Sequence, residues 1–142
     1  MKDIIFSSTA GCIKDSGTAK GRGVFAVRDV AIGDVVEVCP VVIVKAKWDE
    51  MPEAVQRIVF DWGYLTKSTA ASCIALGWGS MYNHSNPANL RYVAVPDELC
   101  MHFIAARDIR EGEEFTVNYN ETGGDIHSTE DAWFEDTGIT PI

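Results

Sequence analysis

The segment from Gly77 to Tyr92 constrains the fold most strongly, because it cannot form a regular helix or a long strand. Its centre is the polar trio Asn83, His84 and Ser85, and Pro87 stops any continuing helix. Asn and Ser side chains bond to nearby backbone and favour irregular structure. An apolar run precedes the segment and a hairpin pattern follows it. The segment is therefore either a surface turn or an irregular strip of backbone that binds a polar ligand.

The remaining sequence predicts a single, mainly β domain with one sizeable helix. Short apolar and β-branched runs alternate with polar turns, beginning with a predicted strand at Asp3–Ser7, and this is typical of a barrel-like or layered β fold. The region from Asp49 to Gly63 has apolar residues at helical spacing and acids in its first turn, so it predicts the helix. The runs Tyr92–Val95 and Leu99–Ala105 flank a polar turn and predict a β-hairpin.

Acidic charge is concentrated at the C-terminal end. The formal net charge is −9, yet residues 1–110 balance 12 basic against 12 acidic residues, and residues 111–142 hold nine acids and no Lys or Arg. This distribution argues against direct nucleic-acid binding, which needs a basic surface. It suits a basic protein partner. The other interpretation is an acidic terminus that only improves solubility.

The four cysteines lack the close spacing that a structural zinc site usually needs. We expect reduced thiols, several of them in the core, with a disulfide as the alternative, and no metal site. The sequence has no run of eighteen apolar residues, and residues 1–12 do not have the pattern of a signal peptide. These features predict an intracellular protein, cytoplasmic or nuclear, without a membrane span.

Three motifs follow one another along the chain. The first runs from Lys20 to Ala26 (KGRGVFA), the second is Asn83-His84-Ser85 with Pro87 and Asn89, and the third runs from Gly112 to Tyr119 (GEEFTVNY). In this order they resemble the SET-domain protein lysine methyltransferases, especially the small stand-alone SET proteins of viruses and bacteria. The resemblance implies a SET domain over residues 1–119 and an acidic tail over residues 120–142. The implied β-clip fold has small curved sheets, and the last two motifs cross in a pseudoknot-like arrangement.

The resemblance also implies S-adenosyl-L-methionine as the methyl donor, and a Lys-rich protein such as a histone tail as the substrate. In this family the donor and the lysine approach from opposite faces and meet in a narrow channel. Glycines in the first motif let the backbone approach a ligand closely. Asn83 would hold the amino-acid part of the donor, and His84 would meet the adenine mainly through its backbone. The expected cofactor-binding residues are Lys20, Gly21, Arg22, Gly23, Asn83, His84 and Trp133, with Lys20 and Arg22 acting mainly through backbone.

Tyr119 is the expected catalytic residue. The attacking lysine nitrogen must be neutral, and a free lysine has a pKa of about 10.4, so neutrality costs roughly 1.4 kcal/mol per pH unit. A dry aromatic channel lowers that pKa, and the Tyr119 hydroxyl would orient the reacting atoms. The alternative is a buried tyrosine that ends a strand. Tyr92 and Tyr64 are the expected substrate-binding residues, with a strand start and a helix end as their alternatives. Trp78 and Tyr82 belong either to the core or to the pocket, and we favour the core.

The sequence departs from the family pattern at several positions. Asn86 stands where many relatives have Cys, and Gly123 stands where small viral forms have an aromatic residue, which leaves the number of methyl groups added open. No cysteine follows Cys100, so the zinc-binding extension that completes the channel in many relatives should be absent. The channel cover is then the pair Trp133-Phe134, or a second subunit in a homodimer.

Two other functions stay open beside the enzyme. One is a catalytically silent SET-like module that holds a lysine-bearing peptide or the cofactor without turnover. The other is a structural β domain whose motifs match by chance. The presence of Gly21, Asn83, His84 and Tyr119 together favours the enzyme, because a silent domain is expected to lose some of them.

Overall fold

The computed structural model describes residues 10–119 and 122–124. The predicted strand at Asp3–Ser7 and the predicted cofactor contact of Trp133 therefore lie outside the described residues. Within the described part of the chain no helix is long and apolar enough to cross a membrane.

Nine strands form the framework of the described residues. Their bounds are β1 Gly11–Asp15, β2 Arg22–Ala26, β3 Val35–Val44, β4 Val59–Asp61, β5 Ser72–Ala75, β6 Asn83–His84, β7 Leu90–Val95, β8 Cys100–Ala105 and β9 Glu114–Val117. They build a four-stranded sheet of order β1-β2-β9-β6 and a five-stranded sheet of order β4-β5-β3-β8-β7. The predicted mainly β architecture of small sheets is confirmed.

The predicted sizeable helix between Asp49 and Gly63 is wrong. The described helices are short: α1 Glu53–Gln56, α2 Trp62–Thr66 and single 3-10 turns at Trp48–Glu50, Gly79–Met81 and Pro96–Glu98. Strand β4 interrupts the helical pattern, because Val59 pairs with Ile74 and Asp61 pairs with Ser72 on β5. Pairing with a distant strand satisfies the backbone hydrogen bonds and overrides the helical spacing of the apolar residues.

The predicted hairpin is confirmed. Strands β7 and β8 pair antiparallel, from Leu90 opposite Ala105 to Val95 opposite Cys100. The 3-10 turn Pro96–Glu98 joins them. Strand β8 also pairs with β3, so the hairpin is an integral part of the five-stranded sheet and a rigid support for side chains along both of its strands.

All four cysteines are free thiols; Cys39, Cys73 and Cys100 are buried and Cys12 is exposed. Burial raises the pKa of the Cys73 thiol to about 12 and also raises the pKa of Cys39 and Cys100. The expectation of reduced thiols, several of them in the core, is confirmed.

The second and third motifs lie side by side at the centre of the fold. Strand β6 pairs parallel with β9, with Asn83 opposite Thr116 and His84 opposite Val117. The other edge of β9 pairs with β2, the strand of the first motif. Beyond β9 the chain passes β7, where the Tyr92 backbone N–H donates to the carbonyl oxygen of Thr122 at 3.0 Å. The three motifs therefore meet in space although they are far apart in sequence.

The buried side chain of Asn89 links the central segment to β9 by hydrogen bonds. Its side-chain Nδ2 donates to the backbone carbonyl of Glu114 at 2.7 Å, and its Oδ1 accepts the backbone N–H of Thr116 at 2.8 Å. Asn89 is only 3% exposed. A buried amide with both ends paired holds the irregular central segment against β9, because leaving either end unpaired costs free energy.

Candidate active site

Tyr119 lies two residues beyond the end of β9 and contacts the second motif. Its backbone N–H donates to Nδ1 of His84 at 3.2 Å, and the two rings have centroids 5.1 Å apart. Its hydroxyl donates to the backbone carbonyl of Tyr82 at 3.4 Å. The phenol is therefore held between the central segment and the end of β9.

The Tyr119 hydroxyl is a neutral phenol at physiological pH. Burial, and then the nearby carboxylate of Glu114, raise the pKa of Tyr119 above its ordinary value. Both causes disfavour the charged phenolate. The group can donate and accept hydrogen bonds, whereas its protonated state makes it a poor resident base.

A narrow pocket opens beside Tyr119. Its volume of about 70 Å³ holds on the order of five water molecules. That space fits an unbranched side chain and is too small for a nucleoside. Tyr64, Tyr92 and Tyr119 all line it, so the structure brings together the predicted catalytic tyrosine and the two tyrosines predicted to bind substrate.

Tyr92 and Tyr64 contribute to the pocket in different ways. Tyr92 is buried, its hydroxyl donates to the backbone carbonyl of Asn118 at 2.9 Å, and its ring packs on Phe60 with centroids 5.4 Å apart. Tyr64 lies on α2 and is 77% exposed. Tyr92 is therefore a fixed wall, and Tyr64 is a rim residue with freedom to adapt.

Other residues of the pocket were not predicted from the sequence. Phe60 and Asp61 on β4 and Leu65 on α2 line it. Phe60 and Asp61 were missed because Asp49–Gly63 was predicted to be a continuous helix, and Leu65 belongs to no motif. Tyr82 is buried as predicted and also lines the pocket. The prediction of a core position for Trp78 is wrong: its side chain is 37% exposed, and its backbone N–H is the group that bonds inward.

The first and second motifs meet at Asn83. Its Nδ2 donates to the carbonyl oxygen of Arg22 at 3.0 Å and to the Glu114 carboxylate at 2.7 Å. A Cβ atom at Gly23 would collide with the Glu114 carboxylate and lie 3.0 Å from Asn83 Nδ2. Glycine at position 23 is therefore what allows this close packing. Glu114 was not predicted as a site residue, although it lies in the third motif.

Lys20 reaches this cluster through its side chain. Its Nζ donates to the backbone carbonyl of His84 at 2.6 Å. Lys20 and Arg22 were expected to act mainly through backbone; the Arg22 carbonyl does take part, whereas Lys20 contributes its side chain. Beside them Gly21 has a φ of 76°, and no atom lies within 4 Å of the position of a Cβ there. The turn therefore presents an open backbone surface.

The chemistry of this cluster fits the predicted cofactor. An ammonium (Lys20), a carboxylate (Glu114), an amide (Asn83) and backbone carbonyls converge next to the open turn. A ligand that carries both an ammonium and a carboxylate is complementary to a set with both signs of charge. The amino-acid end of S-adenosyl-L-methionine is such a group.

Comparisons with known proteins agree with this reading. A family model described as SET domain matches residues 21–120. The chain is 27% identical over 117 residues to a histone-lysine N-methyltransferase, H3 lysine-37 specific, from Schizosaccharomyces pombe, a match that covers 82% of this chain and 72% of that protein.

Two solved structures share the fold. A candidate histone methyltransferase from Plasmodium falciparum has a TM-score of 0.62 and 21% identity, over 80% of this chain and 94% of that chain. Polycomb Repressive Complex 2 of Chaetomium thermophilum was solved in an autoinhibited conformation bound to S-adenosylmethionine. It has a TM-score of 0.62 and 22% identity, over 82% of this chain and 16% of that chain. At these identities the structural matches establish the predicted fold class.

Proposed function

The chain belongs to the SET-domain family, and we propose that it is an S-adenosyl-L-methionine-dependent protein-lysine N-methyltransferase whose catalytic residue is Tyr119. One observation carries the proposal. Tyr119 lines the narrow aromatic pocket and is also hydrogen-bonded to His84 of the polar cluster. A lysine in the pocket and a donor at the cluster would therefore approach each other at this residue.

The cofactor, when bound, supplies an activated methyl group. On this proposal Asn83, Glu114 and Lys20 hold its amino-acid end, because they supply the amide, carboxylate and ammonium of the cluster. The open backbone at Gly21 and Gly23 and the backbone of His84 complete the cofactor site.

The pocket prepares a lysine for attack. Its aromatic walls, Phe60, Tyr92 and Tyr119, exclude water and disfavour the charged ammonium, so the amine loses its proton to solvent more readily than in water. Asp61, which also lines the pocket, attracts the cationic side chain before that step. The neutral Tyr119 hydroxyl then orients the amine through hydrogen bonds. Such positioning can supply up to roughly 7–11 kcal/mol of barrier reduction.

The proposed substrate is a Lys-rich protein, such as a histone tail. Two observations support this class. The Schizosaccharomyces pombe relative is specific for a lysine of histone H3 by its name. Residues 111–142 of this chain hold nine acids and no Lys or Arg, which gives them an attraction for a basic peptide.

We also propose that the segment after Tyr119 completes the substrate channel. Thr122 lines the pocket, and its carbonyl accepts the backbone N–H of the pocket residue Tyr92 at 3.0 Å. Thr122 therefore forms part of the pocket wall. The tail that follows, with Trp133, or a second copy in a homodimer, is the proposed cover.

Transfer of a labelled methyl group tests the function. The wild-type protein, radiolabelled S-adenosyl-L-methionine and purified core histones or a cell lysate should give labelled lysine, identified by mass spectrometry. Tyr119→Phe should lose about 100-fold or more of this transfer, because loss of alignment by about 1 Å has an effect of that size. It should keep the thermal stabilisation that cofactor binding gives the wild type.

Three outcomes would change the proposal. Wild-type-like transfer by Tyr119→Phe removes Tyr119 from the mechanism. Cofactor-dependent stabilisation of the wild type without any transfer supports the catalytically silent module instead. If the wild type shows neither stabilisation by the cofactor nor methyl transfer, the result supports a structural domain.

A further inference from the structure

Three side chains of different chemistry meet where the turn of the β7–β8 hairpin enters β8. Glu98, Cys100 and His102 each offer one ligand atom, and these atoms all lie within 4.8 Å of one another. The Cys100 thiol lies 3.9 Å from Oε2 of Glu98. None of the three lines the pocket beside Tyr119.

The backbone holds these residues in place. Cys100 and His102 are two residues apart on β8, so both side chains point to the same face of the sheet. Strand β8 is paired on both edges: Cys100 is opposite Pro40 on β3 and Val95 on β7. Two of the three candidate ligands therefore stand on a rigid central strand.

The turn brings the third ligand back onto the same face. Leu99 has a φ of 50°, a left-handed conformation that is uncommon for a residue with a side chain. It reverses the chain between Glu98 and Cys100, and its backbone N–H donates to the Pro96 carbonyl at 3.2 Å. Strain at a single non-glycine residue is thus associated with the contact between the carboxylate and the thiol.

We propose that Glu98, Cys100 and His102 bind one zinc-class divalent cation. A thiolate sulfur, an imidazole nitrogen and a carboxylate oxygen are the ligand types that Zn²⁺ uses, and the soft sulfur argues against Mg²⁺ or Ca²⁺. With three ligand atoms no more than 4.8 Å apart, one point lies within about 2.8 Å of each. Zinc bonds are ~2.0–2.3 Å long, so small side-chain rotations close the site. A water molecule is the fourth ligand.

The binding step involves no electron transfer. A sulfur–metal bond forms, a metal–water bond breaks, and the proton of the Cys100 thiol passes to solvent. Glu98 and His102 are partly exposed, so the cation has access from solvent, while Cys100 is buried. The bound cation would then cross-link Glu98 of the hairpin turn to Cys100 and His102 of β8.

This site differs from a structural zinc site of closely spaced cysteines and from a cysteine-rich extension after Tyr119, both of which the sequence lacks. The cluster instead combines three residue types at positions 98, 100 and 102, where only alternation along a strand brings them together.

Metal titration tests the proposal directly. The full chain is reduced, stripped with a chelator and titrated with Co²⁺, which is then displaced by Zn²⁺. We expect one equivalent of Co²⁺, a thiolate-to-cobalt charge-transfer absorption and a higher melting temperature with metal. Cys100→Ala, His102→Gln and Glu98→Gln should each weaken metal affinity by about 100-fold or more, because changes behind the direct ligands already cost roughly 10–100-fold. Cys73→Ala, a buried thiol outside the cluster, should bind as the wild type does.

Several results would overturn the site. The site would be refuted if the wild type showed no cobalt–thiolate absorption, or if Cys100→Ala kept this absorption. Normal metal binding by His102→Gln, together with weakened metal binding by His84→Gln or His127→Gln, would place the cation elsewhere. Circular dichroism of the metal-free variants shows that they fold; His102→Gln and Glu98→Gln change partly exposed side chains, so they keep the test valid if Cys100→Ala is unstable.

Discussion

The backbone N–H of Tyr119 donates to Nδ1 of His84 at 3.2 Å, which makes the imidazole a support for the proposed catalytic residue. Because Nδ1 accepts this bond, a neutral His84 carries its proton on Nε2. The backbone carbonyl of His84 accepts a bond from Lys20 at 2.6 Å. His84 therefore contributes its side chain as well as its backbone, whereas the sequence predicted a role mainly for the backbone.

Replacing His84 by Ala should lower kcat about tenfold, because the hydrogen bond that fixes Tyr119 is worth roughly 1.4 kcal/mol. His84→Asn should keep most of the activity, since its side-chain oxygen can accept the same N–H. Steady-state methyl transfer at saturating cofactor measures both variants. Equal activity of His84→Ala and the wild type would contradict a role for the ring.

The raised pKa of Tyr119 gives a second prediction. A tyrosine in the unfolded chain titrates near a pH of about 10. Because the folded protein favours the neutral phenol, this residue stabilises the fold below that pH, and the contribution is lost as the pH rises through the higher folded pKa. Between about pH 9 and 11 the unfolding free energy should therefore fall more steeply for the wild type than for Tyr119→Phe.

The pH dependence of methyl transfer should also reflect a neutral Tyr119 phenol. Methyl transfer should rise with pH as the substrate amine loses its proton, without a decline caused by Tyr119 below a pH of about 10. Ultraviolet difference spectra of the wild type and Tyr119→Phe isolate the ionisation of this phenol. A phenolate that forms below that pH and is missing in the variant would show that the assignment is wrong.

The hairpin and the convergence of the motifs were predictable from sequence, because each depends on local patterns and on motif order. A polar turn between two mainly apolar runs is enough to predict the pairing of β7 with β8. The helix predicted from Asp49 to Gly63 failed for a non-local reason. Val59 and Asp61 pair with β5, and three residues of strand are too few to show alternation against a helical background.

The polar contacts of the site were predictable only in part. Asn83 and Gly23 belong to motifs, but their contact through Glu114 requires β9 to lie between β2 and β6. Phe60 and Asp61 have no motif and enter the pocket only because β4 is the edge strand of the larger sheet. Long-range strand order, which no local pattern contains, decides these positions.

Gly23→Ala should weaken cofactor affinity by about tenfold or more, because its Cβ would displace the Glu114 carboxylate and press on the Asn83 amide. Gly33→Ala is the matched control. It has a φ of 88° and open space around the Cβ position, so it should cost about 1–2 kcal/mol of stability and leave affinity unchanged. Calorimetric titration and urea unfolding separate the two effects. Unchanged affinity in Gly23→Ala would remove this turn from the cofactor site.

Tyr82→Phe should destabilise the fold. The Tyr82 hydroxyl donates to the buried carboxylate of Glu37 at 2.6 Å, and Glu37 is 3% exposed. Loss of a hydrogen bond to a charged group costs about 1.5–3 kcal/mol. Tyr64→Phe removes the same atom at a 77% exposed position and should change stability by less than about 0.5 kcal/mol. Urea unfolding measures both, and equal effects of the two changes would be evidence against a stabilising Glu37–Tyr82 contact.

Truncation of the C-terminal segment tests its proposed place in the channel. Ending the chain after Glu121 removes Thr122, which lines the pocket and accepts the Tyr92 backbone N–H at 3.0 Å. Ending it after Gly124 keeps Thr122 and removes only the tail with Trp133. We expect the shorter chain to lose about tenfold or more in kcat/KM, since an unpaired N–H and an open pocket wall cost at least about 1.4 kcal/mol. An equal loss in the longer chain assigns the cover to the tail, a loss confined to the shorter chain assigns it to Thr122, and full activity in both would show that the channel is complete without residues 122–142.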